Sequence, residues 1–156
     1  YYHTQPERID FLSPGISRSR IAPSDVLKRR EKVREILGIG ADDKLLVMIG
    51  SGFVKKGLSR ALFAVWSLSR QQRRKTSFIV IGEDNQRPFR RLAWFLGISK
   101  QVTFMSGRDD IDRFLFASDL LILPAIDEAA GIIILEAIVA GLPVLVTKNC
   151  GYAHYV

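Results

Sequence analysis

A single cysteine, Cys150, in 156 residues leaves no intrachain disulfide to form. The chain must therefore be held by its core, as proteins of reducing compartments are, and a lone cysteine ordinarily serves as a small buried hydrophobe. No apolar run approaches the roughly 20 residues of a membrane-spanning helix; the longest near the end, 132–135, stops at Glu136. The first six residues have no initiator Met and neither the basic start nor the apolar middle of a signal peptide, and they read as the cut edge of a longer protein. There is no RNP-like aromatic motif and no zinc-finger spacing, which argues against a nucleic-acid partner. No Asp-x-Asp pair offers itself to a metal; Asp109 and Asp110 are adjacent and read as a helix start. Acids are also in short supply, with 16 Asp and Glu against 23 Lys and Arg, a formal charge of +7. That balance suits phosphates, nucleic acid or an anionic membrane face. The cations cluster at Lys28, Arg29 and Arg30, at 70–75 and at 87–91, where solvated helix faces and loop ends are the simpler reading.

What is present alternates. Short apolar runs at 44–50, 77–82, 101–105, 119–123 and 143–147 have the length and composition of buried strands. Between them lie stretches with apolar residues at helical spacing: 58–70 (Leu58, Leu62, Val65, Trp66, Leu68), 89–96 capped by Gly97, 109–117, and 131–140 capped by Gly141 with Pro143 beyond. The first 40 residues are punctuated by Pro6, Pro14 and Pro23 and predict a short strand at 9–12. They also predict a helix over 24–37, with Ser24 as N-cap and an apolar face of Val26, Val33, Ile36 and Leu37. This alternation predicts an α/β, Rossmann-like parallel sheet with helices on both faces. Residues 1–40 form its lead-in and 41–156 the sheet domain itself, with a further helix expected where the chain stops.

In such sheets ligands bind beyond the carboxyl ends of the strands. The loop 50–57 reads Gly-Ser-Gly-Phe-Val-Lys-Lys-Gly. It misses the dinucleotide fingerprint, because its third Gly comes late, and it misses Walker A, because its Lys precedes the last Gly. It is a flexible loop with Lys55 and Lys56 at a helix start, suited to an anion or simply solvated. The loop 124–131 is more specific. Glu128 and Glu136 are separated by seven residues, one before a helix and one inside it. Ala129, Ala130 and Gly131 let a ligand approach the first helical amides, which favour a diphosphate by about 0.3–1 kcal/mol from the dipole alone. A Glu inside an apolar helix needs partners, and ribose hydroxyls are suitable ones.

Glu128-x7-Glu136 followed by Ala140-Gly141-Leu142-Pro143-Val144 resembles the donor-site signature of retaining glycosyltransferases with two Rossmann-like domains. Lys56-Gly57 after a strand and Gly-Ser-Gly resembles their phosphate loop, and Ser13-Pro14-Gly15-Ile16 the segment entering their C-terminal domain. Residues 2–8, Ser106-Gly107-Arg108, 128–131 and 150–155 are more similar still to the glucosyltransferases of lipopolysaccharide core assembly within this family. The resemblance implies the C-terminal half of a glycosyltransferase-B fold. It implies a hexosyltransferase moving glucose from UDP-glucose to an inner-core heptose with retained configuration and without a metal or cofactor. The enzyme would work at the cytoplasmic face of a Gram-negative inner membrane, on an anionic lipid surface. Arg20 and Lys56 would then hold the diphosphate, Glu128 would face the sugar, and Glu136 would bind the ribose. Gly52, Ala130, Gly131 and Ile132 would meet the sugar or diphosphate, Arg108 and Ile111 the uracil, and Gly82 and Glu83 the cleft wall. Many relatives carry Arg where this chain has Ser51, so Arg20, or alternatively Arg18, would supply the second cation. With the acceptor domain outside the chain, weak donor binding and no transfer are expected of it alone. Another UDP-sugar as donor, or a non-catalytic nucleotide-binding module, are the alternatives.

Overall fold

The computed structural model describes residues 5–8, 10 and 15–156. The strand expected at 9–12 and the motif residues Ser13 and Pro14 lie outside the described residues. Five strands, β1 (Lys44–Ile49), β2 (Thr76–Ile81), β3 (Val102–Met105), β4 (Leu120–Leu123) and β5 (Val144–Val146), form one all-parallel sheet in the order β3-β2-β1-β4-β5. Six α-helices join it: α1 (Val26–Ile36), α2 (Leu58–Ser67), α3 (Arg70–Arg74), α4 (Arg87–Phe95), α5 (Ile111–Ala117) and α6 (Ile132–Val139). Crossovers between parallel strands are right-handed. β1 to β2 and β2 to β3 step one way along the sheet, so α2, α3 and α4 share a face. The chain then reverses to β4, which puts α5 and α6 on the other face. The packing agrees, with α2 against α4 and α1 against α5. Leu45, Val47, Met48, Phe78, Val80, Leu121 and Leu123 of the central strands are sealed between the layers, almost wholly shielded from water.

Three details depart from expectation. The helix predicted over 58–70 breaks at Leu68, whose ψ of 147° is extended. Ser69 then starts α3 with a full capping box, its hydroxyl accepting from the Gln72 amide while the Gln72 side chain accepts from the Ser69 amide. That local pairing outcompetes continuation of the helix. Trp66, placed with the core by periodicity, is 46% exposed. In α1 the N-cap is Asp25, not Ser24, and Ile36 points to water while Arg34 is buried. Arg34 and Arg30 converge on Asp119 at the start of β4, at 3.1 and 2.6 Å. Asp119 also accepts from the Leu45 amide at 2.7 Å. Burial pushes the Asp119 carboxyl upward, but the Leu45 amide and the two guanidinium groups outweigh it and hold the pKa below the ordinary value. This cluster ties the lead-in helix to the first and fourth strands.

Candidate functional site

The strand order reverses between β1 and β4, and the loops leaving these two strands part to leave a crevice, the place where doubly wound sheets hold ligands. A cleft of about 320 Å³ lies there. Its wall includes Gly50 and Lys56 from the loop after β1, Glu128, Ala130 and Gly131 from the loop after β4, Ile132 and Glu136 from α6, and Ile111 from α5.

Glycines shape it. Lys56 folds back over Gly50, where an added Cβ would lie 2.7 Å from the lysine Cε. Gly57, at φ +72°, brings the same loop against the backbone of Pro124, whose carbonyl oxygen would be 2.0 Å from an added Cβ. The Lys55 carbonyl accepts from the Ile126 amide at 2.7 Å, stitching the two loops together. On the far side, the Thr147 hydroxyl and the Asn149 side-chain amide donate to the Ala125 and Ile126 carbonyls at 2.7 and 3.0 Å. The Gly151 and Tyr152 amides donate to Glu128 and Ala130 at 3.0 Å each. The loop carrying Glu128 is thus held from both flanks, and Gly131 in the left-handed region (φ +78°) turns it into α6. The amides that open an α-helix have no acceptor within it, and Ile132 and Ile133, which open α6, line the cleft at the positive end of its dipole.

The charged groups come in opposed pairs. Lys56 Nζ donates to Glu128 Oε2. Arg20, on a short 3-10 turn (Arg18–Arg20), donates from Nε to Glu136 Oε1 at 3.2 Å and lies 3.5 Å from Asp112. Of the two candidates for the second cation, Arg20 reaches the cleft's edge, while Arg18 is exposed. All five side chains are mostly shielded, between 13% and 21% exposed. Two cations and three acids are thus matched within the protein. Such pairs can exchange partners when a diphosphate and a ribose enter.

The remaining expected residues, Gly52, Gly82, Glu83 and Arg108, do not line this cleft. Gly82 supports Gly50, whose carbonyl oxygen would be 2.6 Å from an added Cβ. Glu83 accepts from the Gly107 amide at 2.8 Å. The amide following Gly52, that of Phe53, donates to Asp84 at 2.8 Å. This amide, with that of Asn85, holds the Asp84 carboxyl below its usual pKa. The Phe53 amide of this loop is therefore taken by the protein's own carboxylate, while Lys56 extends across to Glu128. Ser51 serves the same loop, its hydroxyl accepting from the Glu83 amide at 3.0 Å. Arg108 makes a forked pair with Asp110, 2.5 and 2.9 Å, and lies 4.7 Å from the Phe114 ring centroid. The Arg108 hydrogen bond is the main reason the Asp110 carboxyl drops to about 2. Asp84 and Asp112 were not legible as site residues. Each lies beside a singled-out stretch, and only the folded loops give it a partner.

Among the described residues no group of three or more His, Cys, Asp or Glu could hold a metal ion, and no helix is long and apolar enough to cross a membrane. Comparison with known proteins places this geometry in a family. The lipopolysaccharide glucosyltransferase WaaG of Escherichia coli (strain K12) is 46% identical over the whole chain, which spans 42% of its length. The crystal structure of WaaG, a glycosyltransferase involved in lipopolysaccharide biosynthesis, superposes with a TM-score of 0.94 over 99% of this chain and 42% of that one. A D-inositol 3-phosphate glycosyltransferase of Corynebacterium efficiens is 26% identical over 97% of this chain and 37% of its own. Anabaena HepE in complex with UDP-glucose shares the fold, with a TM-score of 0.78 at 23% identity over 91% of this chain and 39% of that one. The chain spans about two fifths of the length of these relatives. The model of the family "Glycosyl transferases group 1" matches residues 29–156, most of the chain and every residue that lines the cleft, and the protein belongs to that family.

Proposed function

We propose that the protein carries the donor half of a retaining glycosyltransferase that moves glucose from UDP-glucose to an inner-core heptose in lipopolysaccharide core assembly, at the cytoplasmic face of the inner membrane. The observation that carries the reading is the meeting of Lys56, Glu128, Glu136 and the start of α6 at the switch point of the sheet. The name of the 46% identical relative supports the glucosyl and lipopolysaccharide parts.

Each group has a task that its chemistry suits. Glu136, one turn into α6, accepts hydrogen bonds from the ribose hydroxyls. The diphosphate lies against the Ile132 and Ile133 amides, and Lys56 moves from Glu128 to a phosphate oxygen. Glu128 is then free to accept from hydroxyls of the glucose. As the acceptor oxygen bonds to the anomeric carbon, the bond from that carbon to the diphosphate breaks, UDP leaves with the electron pair, and the acceptor hydroxyl's proton passes to the departing phosphate oxygen. Lys56, Arg20 and the helix end stabilise the charge that gathers there, in place of a metal. Groups set in advance for such charge contribute about 10²–10³ each in turnover. The acceptor site lies in the part of the enzyme outside this chain, and closure of two domains over the donor belongs to the cycle.

Calorimetric titration with UDP, UDP-glucose, UDP-N-acetylglucosamine, GDP and NAD tests this. Uridine nucleotides are expected to bind selectively, UDP-glucose above UDP-N-acetylglucosamine, with binding lost in Lys56→Gln and Glu136→Gln. Tighter binding of NAD than of UDP by the folded chain would sink the donor-site reading.

A further inference from the structure

The loop that carries Glu128 does not hold itself. Among the described residues no hydrogen bond joins one residue of 124–130 to another. Its form is imposed from outside. On one flank the Lys55 carbonyl accepts from the Ile126 amide at 2.7 Å, and Arg60 reaches the Pro124 and Ala125 carbonyls at 3.3 Å each. On the other flank stands the segment 147–152, which follows β5. Its first contacts are made by side chains: the Thr147 hydroxyl donates to the Ala125 carbonyl at 2.7 Å and the Asn149 amide group to the Ile126 carbonyl at 3.0 Å. Its later contacts are made by backbone. The Asn149 carbonyl accepts from the Glu128 amide at 3.3 Å, and Glu128 and Cys150 pair as parallel strands do. Gly151 then runs so close that an added Cβ would stand 2.1 Å from the Ala129 carbonyl oxygen.

None of residues 147–152 lines the cleft. They meet a donor only through the loop they hold. Cys150, 3% exposed, roots the segment in the core, while Asn149 lies in water. A bond from an exposed side chain adds little to stability, because water competes for both partners. What it adds is position. Glu128 is followed by Ala129, Ala130 and Gly131, which have no polar side chain with which to anchor it. The nucleotide end of the cleft is fixed differently, with Glu136 inside α6 and Lys56 in the loop after β1.

From this we infer that Thr147 and Asn149 are positioning residues that set Glu128 against the sugar of the donor, and so decide how much the glucose adds to the affinity for UDP. The inference rests on the proposed function, in which Glu128 accepts from glucose hydroxyls, and names the residues outside the cleft that govern that contact. A carboxylate that discriminates between hydroxyls must be held to within about 0.5 Å by its supporting bonds. Without the two donated hydrogens, the stretch 125–128 is slack between Lys55 and Gly151.

The test is calorimetric titration of the 156-residue chain with UDP and with UDP-glucose, side by side. Thr147→Val/Asn149→Asp keeps both shapes and removes both donated hydrogens. Arg60 still reaches the Ala125 carbonyl and Asn149 is in water, so this variant is expected to fold and to melt within a few degrees of the unaltered chain. The ratio of UDP-glucose to UDP affinity is expected to fall roughly tenfold, in keeping with the loss of one or two hydrogen bonds. Affinity for UDP itself is expected to hold within about twofold, as for other surface substitutions. Asn149→Asp alone is expected to lower the ratio about threefold, and Thr147→Ser, which keeps the hydroxyl, to leave it unchanged. In a Glu128→Gln background the paired change is expected to lower the ratio no further, because the side chain it positions is already altered. An unmoved ratio, or an equal loss of UDP and UDP-glucose, overturns the inference. So does an additive loss in the Glu128→Gln background, which would mean that Thr147 or Asn149 meets the sugar itself. Those outcomes leave the donor-site reading standing; absence of uridine-nucleotide binding by the unaltered chain would overturn that reading, and this one with it.

Discussion

Gly57 sits at φ +72° with the Pro124 carbonyl 2.0 Å from where a Cβ would stand. Both loops at that contact are backbone, so neither can yield by a rotamer change. Gly57→Ala therefore meets a left-handed conformation costing about 1–2 kcal/mol and a clash that must part the loops. A total loss of about 3 kcal/mol or more is expected in urea denaturation. Donor affinity is expected to fall as well, because Lys56 is the preceding residue. Asp119 makes a second residue-scale case. Its carboxylate receives two arginines and a backbone amide, so Asp119→Asn is expected to cost about 2 kcal/mol at pH 7, less than a fully buried pair because the side chain is 22% exposed. The folded pKa is depressed, so this stabilisation is present above the unfolded value near 3.9 and is lost as pH falls through the lower folded value. The gap between wild type and Asp119→Asn should therefore narrow below about pH 4. A constant gap down to pH 2.5 in thermal melts would contradict the assignment.

At the scale of elements, the order of strands and helices was legible because buried parallel strands and amphipathic helices have different periods. What misled was local competition. Nothing in the 3.6-residue spacing of 58–70 shows that Ser69 and Gln72 will pair with each other's backbone. Ser69→Ala is expected to cost about 1 kcal/mol in chemical denaturation and to leave the cleft untouched, because α3 lies at the other end of the sheet. The loop after β1 shows the same limit. Its glycines and lysines could be read directly, but Asp84, 31 residues away from the Phe53 amide it accepts from, could not. Asp84→Ala is expected to weaken UDP binding with little change in melting temperature. The carboxylate is exposed and contributes little to stability, but it fixes the loop from which Lys56 extends. Unchanged UDP affinity in this variant would show that the loop holds its form without it.

Across the whole molecule, the chain spans about two fifths of its relatives, and the proposed reaction divides accordingly. The chain alone is expected to bind UDP-glucose and to transfer no glucose to lipopolysaccharide lacking its core hexoses, as followed by UDP release. Transfer by the 156-residue chain would show that the acceptor site is here too. Several features were fixed by sequence alone: the α/β class, the five strands, the reach of Glu128-x7-Glu136 across the start of α6, and the excess of cations. Each depends on neighbours in the chain, through periodicity, helix geometry or a count of charges. Other features waited for the tertiary structure. Arg20 pairs with Glu136 across 116 residues and Lys56 with Glu128 across 72. Arg34 is buried against Asp119, and the cations of α2, α3 and α4 gather on one face. These depend on which strands lie side by side, and the reversal of strand order between β1 and β4 brings such distant segments within hydrogen-bonding reach.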